Sequence, residues 1–500
     1  MRSVTVLVKF AGPKSKIVVI SEEKIWSVRN PLVTHIISFD YKPLWLSPAS
    51  FTMSSPLAPK AQLEALLALV NSAAQEAIAV YEKSGEVPSA NSVHALDKSV
   101  ESLELRKAVR ILEGACEQLC TTLAPPRHTL CNRSYLHYEP ACLNVVIKAN
   151  VAGILAGHPE GLPIADIANQ AGILPDKLGR IISFLAAKHC FREVGHGVFA
   201  NNRLSSQLLS GTPIGDLCLL VGGASMLGAN SLYAWLTDPA YGLCEGKAPA
   251  PFIYSIRDQG RTDLFDWLNH NPEWRAVFTG GMIGLTQVSG DAIMLAKTYP
   301  FSQLPENATF CDVGGNVGHV CMEVVSQHSH IRATLQDQPV VIEQAKQYWI
   351  SELPEAVKSG RIAFTPINFL KEVVVKDQDI YYIRHVLHDW SDSDAVVILK
   401  NVRSAMKPQS RVIIHEFILG ITHRQDSPQS GDPEQAPMPL LPSYGAGNIL
   451  PYYQDINMMN YVNGKERSLD EFKALGAAAG LAFLKVWDLA FNGMVEFQMA

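Results

Sequence analysis

The chain has 500 residues, of which 47% are hydrophobic and 18% charged, and its formal net charge is −6. This length allows two to four domains, and the composition is typical of globular rather than disordered proteins. The negative charge argues against nucleic acid as a partner, because binding to phosphates requires a basic surface.

The nine cysteines contain no Cys-x-x-Cys pair, and their number is odd. Neither a disulfide framework nor a zinc ribbon is therefore predicted, and a reducing, cytoplasmic location is favoured. No run reaches 18 apolar residues, so the sequence predicts no membrane-spanning helix and no membrane partner.

The first 52 residues carry two strand-like segments, "SVTVLVKF" and "KIVVI", that join no recognisable element. Beyond Met53, the helical spacing of Leu63, Leu66 and Val70 predicts an amphipathic helix. We therefore expect the native domain to begin near Met53, and we expect residues 1–52 to be either a poorly ordered extension or an error of the gene model.

Residues 53–205 are predicted to form a helical domain that ends in a winged helix. Helical patterns at 163–171 and 175–189 are followed by a hairpin signal at 191–200, centred on His-Gly. DNA binding is the obvious function of such a motif, but the helix at 175–189 has few basic residues. A structural or dimerisation role is therefore favoured.

Residues 206–300 are helical and rich in aromatic residues, and we interpret them as a linker and substrate-lining region. From 301 to 500, strands alternate with helices, which predicts a doubly wound, mostly parallel α/β sheet. Within this part, residues 421–451 carry six prolines. A loop of that length is either functional or disordered, and our hypothesis is that it covers the site where a substrate binds.

A glycine-rich turn follows the first strand of the predicted sheet, in "FCDVGGNVGHV". Gly314 and Gly315 allow a sharp turn and a close approach of a ligand to the backbone. Asp337 ends the next strand, where a carboxylate can bind both hydroxyls of a ribose. Because Asn316 occupies the middle position of the three-glycine phosphate pattern, an adenosyl ligand without a phosphate is favoured over a dinucleotide.

Two histidines lie in "YYIRHVLHDWSD", where they could ligate a metal, act as a base or cap a loop. His385 is a lone polar residue in an apolar strand, so we predict that it is packed and structural. A metal site built from His385, His388 and Asp389 lacks a further ligand cluster, so no metal is predicted.

Five motifs in order, "DVGGNVGHV", "LQD", "RHVLHDWSD", "IIHEFIL" and "NGKERSLDEF", resemble the S-adenosylmethionine-dependent O-methyltransferases of the plant caffeate and fungal secondary-metabolite type. The resemblance covers about residues 53–500. It implies a Rossmann-like catalytic domain, S-adenosylmethionine as the cofactor, a small-molecule acceptor and a homodimer formed through the N-terminal domain.

The resemblance also implies roles for individual residues. It makes His388 the general base, flanked by Glu416 and Glu466. An imidazole of pKa about 6.5 can accept the proton of a phenol whose pKa is about 10. The resemblance further implies sets of cofactor and acceptor contacts, which are Gly314, Gly315, Asp337, Asn368, Phe369 and Arg384 for the cofactor, and Phe278, Met282, Met458, Met459 and Asn463 for the acceptor.

Other interpretations stay open at the level of the sequence. A protein of this fold could bind the cofactor without methyl transfer, as a pericyclase does, although His388 and both glutamates argue against that. A winged-helix DNA-binding regulator is opposed by the charge. The acceptor, the position that is methylated and the choice between O- and N-methylation are not determined by the residues.

Overall fold

The computed structural model describes residues 58–100, 102–243, 249–425 and 429–500. The predicted extension, residues 1–52, lies outside these ranges and stays a prediction.

The N-terminal part is helical from its first described residues. Helix α1 begins with a proline, which suits the first turn because that position needs no N–H donor. Helix α2 begins after Ser102, whose hydroxyl accepts a hydrogen bond from the Leu105 N–H at 3.2 Å. The helices of this part are α1 (Pro59–Lys83), α2 (Leu103–Leu123), α3 (Pro126–Ser134), α4 (Tyr138–Lys148), α5 (Val151–Leu155), α6 (Ile164–Ala171) and α7 (Pro175–Ala187).

A small antiparallel sheet completes the predicted winged helix. Its strands are β1 (Leu162–Pro163), β2 (Arg192–Gly195) and β3 (Val198–Ala200), in the order β1-β3-β2. Gly197 turns the hairpin with φ +68°, a conformation that glycine adopts without strain. The helix-turn-helix and the hairpin expected from the sequence are thus confirmed.

The middle part is helical, as predicted, and contains one unusual turn. Residues Leu220–Ser225 form a π-helical segment, a feature often found at functional sites. The α-helices of this part are α8 (Pro213–Leu219), α9 (Met226–Ala229), α10 (Leu232–Thr237), α11 (Pro251–Ser255), α12 (Leu264–His270), α13 (Pro272–Ser289) and α14 (Asp291–Thr298).

Two helical stretches, Pro59–Lys83 and Pro213–Thr237, are long and apolar enough to span a membrane by length and composition. The sequence prediction of no spanning helix required an unbroken apolar run, whereas mean hydropathy tolerates single polar residues, and the prediction stays untested. The finding is weak evidence for a membrane, because core helices pass the same test. Here α1 packs along α2, and the second stretch packs against α13.

The C-terminal part is a seven-stranded sheet with the order β11-β12-β8-β7-β4-β5-β6. The five strands from β6 to β8 are parallel, and β12 and β11 add an antiparallel edge. The strands of this sheet are β4 (Thr309–Val313), β5 (Arg332–Asp337), β6 (Ile362–Pro366), β7 (Ile380–Arg384), β8 (Arg411–Glu416), β11 (Leu481–Asp488) and β12 (Gly493–Met499). Strands β9 (Ile418–Leu419) and β10 (Arg467–Ser468) pair with each other in a separate two-stranded parallel sheet.

Helices cover both faces of this sheet, so the predicted doubly wound α/β fold is confirmed. Along β7, Ile380 and Tyr382 enter one hydrophobic core, while Tyr381 and Ile383 enter the other. The carboxyl ends of the parallel strands therefore meet at one edge, where ligands of such sheets bind. The helices of this part are α15 (His319–Gln327), α16 (Pro339–Glu352), α17 (Pro354–Lys358), α18 (Asp392–Ala405), α19 (Leu450–Val462) and α20 (Leu469–Ala478).

Candidate active site

The turn after β4 depends on residues that tolerate positive φ. Gly314 has φ +74°, and Asn316 has φ +56°, as expected for an asparagine in a left-handed position. A β-carbon on Gly315 would collide with the Asp312 carboxyl and lie 2.6 Å from Leu335 Cδ1. The backbone of the turn is therefore open to a ligand, and a larger side chain at position 315 would obstruct it.

Two carboxyl groups accompany this turn. Asp337 Oδ2 accepts a hydrogen bond from the Asn316 N–H at 2.9 Å, which links the end of β5 to the glycine turn. Asp312 is 1% exposed, and burial raises its pKa to about 7, although the charge of Arg384 opposes this. Its Oδ2 has no hydrogen-bond partner among the described residues. The bare turn and this unpaired buried oxygen fit a polar, adenosyl-type ligand.

Phe369 and Asn368 follow β6 beside the turn. Phe369 Cε1 lies 3.6 Å from the position that a Gly314 β-carbon would take, so its ring borders the turn. The same ring packs edge-on against Trp390, with centroids 5.9 Å apart. Asn368 Oδ1 accepts a hydrogen bond from the Leu370 N–H at 3.2 Å, and contact of either residue with an adenine stays a prediction.

Arg384 and His385 share a partner that the sequence did not suggest. Asp291, at the start of α14, is fully buried and bonds Arg384 Nη1 at 2.5 Å and His385 Nε2 at 3.1 Å. Burial alone would raise the pKa of Asp291, but His415, His385 and Arg384 hold it well below its ordinary value. Arg384 thus pairs with Asp291, and its charge also acts on the turn carboxyl, Asp312.

Within the described part of the chain, the ring of His385 is bonded on one side only, whereas the sequence predicted a packed histidine with its hydrogen bonds satisfied. It has φ +48°, and burial lowers its pKa to about 4, so the ring is neutral. Its Nδ1 has no hydrogen-bond partner among the described residues. The His385 ring lies nearly parallel to that of His388, with centroids 5.4 Å apart.

His388 and the two predicted glutamates meet at the carboxyl edge of the sheet. His388 Nδ1 lies 2.9 Å from Glu466 Oε1. Glu416, at the end of β8, accepts hydrogen bonds from the backbone N–H groups of Val386 and Leu387 at 3.2 and 2.7 Å. These bonds hold Glu416 beneath the short helical turn Leu387–Asp389, which carries the histidine.

The electrostatics of this group favour a charged imidazole. Burial would lower the pKa of His388, but the bond to Glu466 and the charges of both glutamates raise it to about 9. Burial raises the pKa of Glu416 and of Glu466, while His388 lowers both. The arrangement therefore stabilises the imidazolium that forms when His388 accepts a proton.

His388, Glu416 and Glu466 also satisfy the spacing of a metal site. One ligand atom from each lies within 4.8 Å of the others. The sequence argument against a metal considered only His385, His388 and Asp389, so it overlooked this set, whose members are far apart along the chain.

The predicted acceptor residues lie on two helices. Phe278 and Met282 are on α13, where they pack against a hydrophobic cluster that includes Tyr461. Met458 and Met459 are on α19, and Asn463 ends that helix with φ +53°. A β-carbon added to Gly464 would lie 3.4 Å from Met458 Cε and 2.5 Å from the His388 carbonyl oxygen. Met458 is therefore close to the segment that carries His388. Contact with an acceptor stays a prediction for all five.

Polar residues between these helices were missed from the sequence. Ser225, in the π-helical turn, donates a hydrogen bond to Asn457 Oδ1 at 2.9 Å, and its carbonyl accepts one from Asn460 Nδ2 at 2.9 Å. Asn460 is 2% exposed, and its Oδ1 has no partner among the described residues. The Gly222-Gly223 pair in an apolar helical run is the only sequence signal for this turn.

Comparisons with known proteins show which family the chain resembles. A family model described as an O-methyltransferase domain matches residues 242–482. The chain is 39% identical over 448 residues to "3-O-methyltransferase 2" of Phanerochaete chrysosporium, a match that covers 88% of this chain and 99% of that protein.

Two solved structures show the same fold. The mitomycin 7-O-methyltransferase MmcR is 23% identical with a TM-score of 0.58, and the match covers 75% of this chain and 98% of MmcR. The complex of LepI with SAM is 19% identical with a TM-score of 0.61, and covers 81% of this chain and 96% of LepI.

Proposed function

This chain belongs to the O-methyltransferase family, and we propose that it methylates a phenolic or enolic hydroxyl of a small aromatic or polyketide-like secondary metabolite, with His388 as the general base. The observation that carries the proposal is the 2.9 Å contact between His388 Nδ1 and Glu466 Oε1, beside the buried Glu416. The contact fixes the ring through Nδ1 and leaves Nε2 as the nitrogen for the acceptor.

The enzyme uses S-adenosylmethionine, which supplies an activated methyl group on a sulfonium when it is bound. Gly314 and Gly315 would receive the methionine end, Asp337 the ribose, and Asn368 with Phe369 the adenine. Arg384 would hold the Asp312 carboxyl in place through its charge. We expect much of the acceleration to come from the alignment of the acceptor oxygen with the methyl group.

The raised pKa of His388 matters for proton transfer. A phenol has a pKa of about 10, and one pKa unit corresponds to about 1.4 kcal/mol. Transfer of its proton to an imidazole of pKa about 9 therefore costs about 1.4 kcal/mol, whereas an imidazole of pKa about 6.5 would impose a cost of about 5 kcal/mol. The two glutamates thus match the base to a phenolic acceptor.

The alternatives make different demands on this site. A pericyclase-like, non-methylating protein would have no need of a base held by two carboxylates. A winged-helix DNA-binding regulator would need a basic surface, whereas the chain has a net charge of −6. A metal at His388 would have to displace the proton shared with Glu466, so we favour the acid–base role.

The test is transfer of labelled methyl groups from S-adenosylmethionine to a library of phenols, with wild type and His388→Ala compared. We expect transfer by the wild type, loss of about 100-fold or more in the variant, and no effect of a chelator. Equal transfer by both proteins would overturn the base, and chelator-sensitive transfer would favour the metal. No transfer to any phenol would favour the non-methylating alternative.

We further propose that the protein is a cytoplasmic homodimer assembled through its N-terminal part. Large apolar side chains are exposed there, including Leu130 at 64%, Tyr135 at 60% and Leu136 at 53%. Apolar surface of this kind is typical of an interface. A second copy of the chain, as the resemblance implies, would cover it.

A further inference from the structure

Three aromatic rings form a cluster at the proposed base. The ring centroid of His385 lies 5.4 Å from that of His388, with 24° between the two planes. On the ring of Phe417 the corresponding values for His385 are 5.2 Å and 30°. Stacked ring pairs in proteins have centroids about 4.5–7 Å apart. His385 is therefore the ring that the other two share, and one of its neighbours is the proposed base.

A buried carboxylate anchors the His385 ring. Asp291 is fully buried, and its Oδ2 lies 3.1 Å from His385 Nε2. The preceding residue, Arg384, bonds the same oxygen at 2.5 Å. Neighbouring residues of a strand point to opposite faces, so the left-handed backbone of His385, with φ +48°, allows both side chains to reach one carboxylate. Uncommon conformations of this kind persist where the surrounding structure holds them, often at active sites.

Hydrogen bonding does not account for the whole environment of this ring. If Nε2–H donates to Asp291, Nδ1 carries a lone pair that can accept a hydrogen bond, yet the buried Nδ1 has no partner among the described residues. Buried polar atoms that serve only the core usually have partners. Burial lowers the pKa of His385 to about 4, so the ring is neutral. Its second side is therefore held by ring packing.

The ring of the base is bonded at one atom among the described residues. His388 Nδ1 lies 2.9 Å from Glu466 Oε1, whereas His388 Nε2 is 3.9 Å from Asp389 Oδ1, beyond hydrogen-bond distance. A ring that is bonded at one atom can still tilt, and a neighbouring ring face restricts that tilt. A neutral aromatic face also attracts a cation within about 6 Å of its centroid. A protonated His385 would instead repel the imidazolium.

We propose that His385 is a positioning residue of the base, whose neutral ring fixes the plane of His388 and stabilises its imidazolium. This role in methyl transfer rests on the proposed function, whereas the contact between the two rings does not. It goes beyond the sequence prediction, which gave His385 a structural role alone.

Charged and titratable groups face the two rings from several elements. Asp291 favours the protonation of His385, whereas Arg384 and a charged His388 oppose it. The groups that face His388 favour its protonation, so only one ring of the pair carries a charge. The groups around the two rings are Asp291 on α14, Arg384 on β7, His415 and Glu416 on β8, Asp389 in the helical turn, and Glu466 before β10.

The experiment compares His385→Phe with His385→Leu in the full chain. Both variants lose the bond to Asp291 and keep an unbranched β-carbon at the left-handed position, so the aromatic face is the main difference between them. Titration of isotope-labelled histidines by NMR gives the pKa of His388, whose signal is identified by its absence in His388→Ala. We expect a pKa near the wild-type value in His385→Phe and one lower by about 0.5–1 in His385→Leu. His196→Leu, at the exposed hairpin turn, is the control and should match the wild type.

The catalytic consequence is measured on the plateau of the pH profile, where His388 is in its base form in both variants. There kcat should be several-fold lower in His385→Leu than in His385→Phe, with the same affinity for S-adenosylmethionine, because only the ring restricts the tilt of the base. Equal pKa values of His388 in the two variants would overturn the proposal, and so would equal kcat values.

The wild type provides a second test if neither variant folds. At about pH 7, the NMR signals should show a neutral His385 with its proton on Nε2 beside a charged His388. A charged His385, or a proton on its Nδ1, would overturn the proposal. Wild-type methyl transfer by His388→Ala would instead refute the proposed function, and the pKa comparison alone would then decide whether the rings interact.

Discussion

At the scale of single residues, the group around His388 shows how burial and charge act together. Glu416 and Glu466 are 1% and 2% exposed, and two buried carboxylates are costly unless a cation accompanies them. The imidazolium of His388 is that cation. Its stabilisation explains why the pKa rises to about 9 even though burial alone would lower it.

This balance predicts how methyl transfer depends on pH. Below pH 9 the base form of His388 is the minor form, so kcat/KM should rise about tenfold per pH unit and level off near pH 9. Glu466→Gln removes one of the charges that raise the pKa. The rising limb should therefore move to lower pH, and the plateau should fall by about 100-fold.

Initial rates across the pH range measure both effects. Glu343→Gln, at an exposed position on α16, is the control and should leave the profile unchanged. A Glu466→Gln profile with the wild-type midpoint would show that this carboxylate does not set the proton affinity of the base.

Asp291 carries a second prediction at this scale. It is fully buried and bonds both Arg384 and His385, so Asp291→Ala leaves a buried guanidinium without its partner. Loss of one member of a buried ion pair costs about 3–5 kcal/mol in the free energy of unfolding. Denaturant unfolding checks this. Asp176→Ala, at an exposed position on α7, should change the same free energy by less than about 0.5 kcal/mol.

At the scale of elements, the turn between β4 and α15 shows why the chain uses glycine where it does. The β-carbon of Gly315→Ala would collide with the Asp312 carboxyl and press on Leu335. We expect this variant to bind S-adenosylmethionine at least tenfold more weakly in calorimetry, because the turn must shift.

The control for this turn is Gly195→Ala, in β2, where a β-carbon would meet only Val198 at 3.9 Å. Its cofactor affinity should equal that of the wild type. Unchanged affinity in Gly315→Ala would mean that the turn does not approach the cofactor.

The proline-rich loop is a second element whose role can be tested. Its described part is held by α2, since Gln118 Nε2 donates to the Pro439 carbonyl at 2.9 Å and Arg110 stacks on Tyr444. If the loop covers the acceptor site, replacing residues 425–440 with a short Gly-Ser linker should raise the KM for the acceptor several-fold. The affinity for S-adenosylmethionine should stay the same, and an unchanged KM would contradict the lid hypothesis.

At the scale of the whole molecule, the exposed apolar surface of the N-terminal part predicts the oligomeric state. The wild type should sediment as a dimer, and Leu130→Glu combined with Leu136→Glu should shift it toward the monomer, because buried charges oppose association. Val340→Glu, on the exposed face of α16, is the control and should stay dimeric. A wild type that sediments as a monomer would refute the proposal.

Local patterns in the sequence determined which secondary structure elements form and how the glycine turn is built. Strand and helix alternation predicts the parallel sheet, because each pattern reports which faces of its own element are buried. The glycine turn and its asparagine could also be predicted, since positive φ restricts residue type locally. The resemblance assigned His388 and its glutamates correctly to one place in space.

Only the tertiary structure decided which distant residues meet. Asp291 and Arg384 are 93 residues apart, and Ser225 and Asn457 are 232 apart, with no periodic pattern that links either pair. Such contacts depend on how whole elements pack. The residues of a single element do not show which distant residues they will contact.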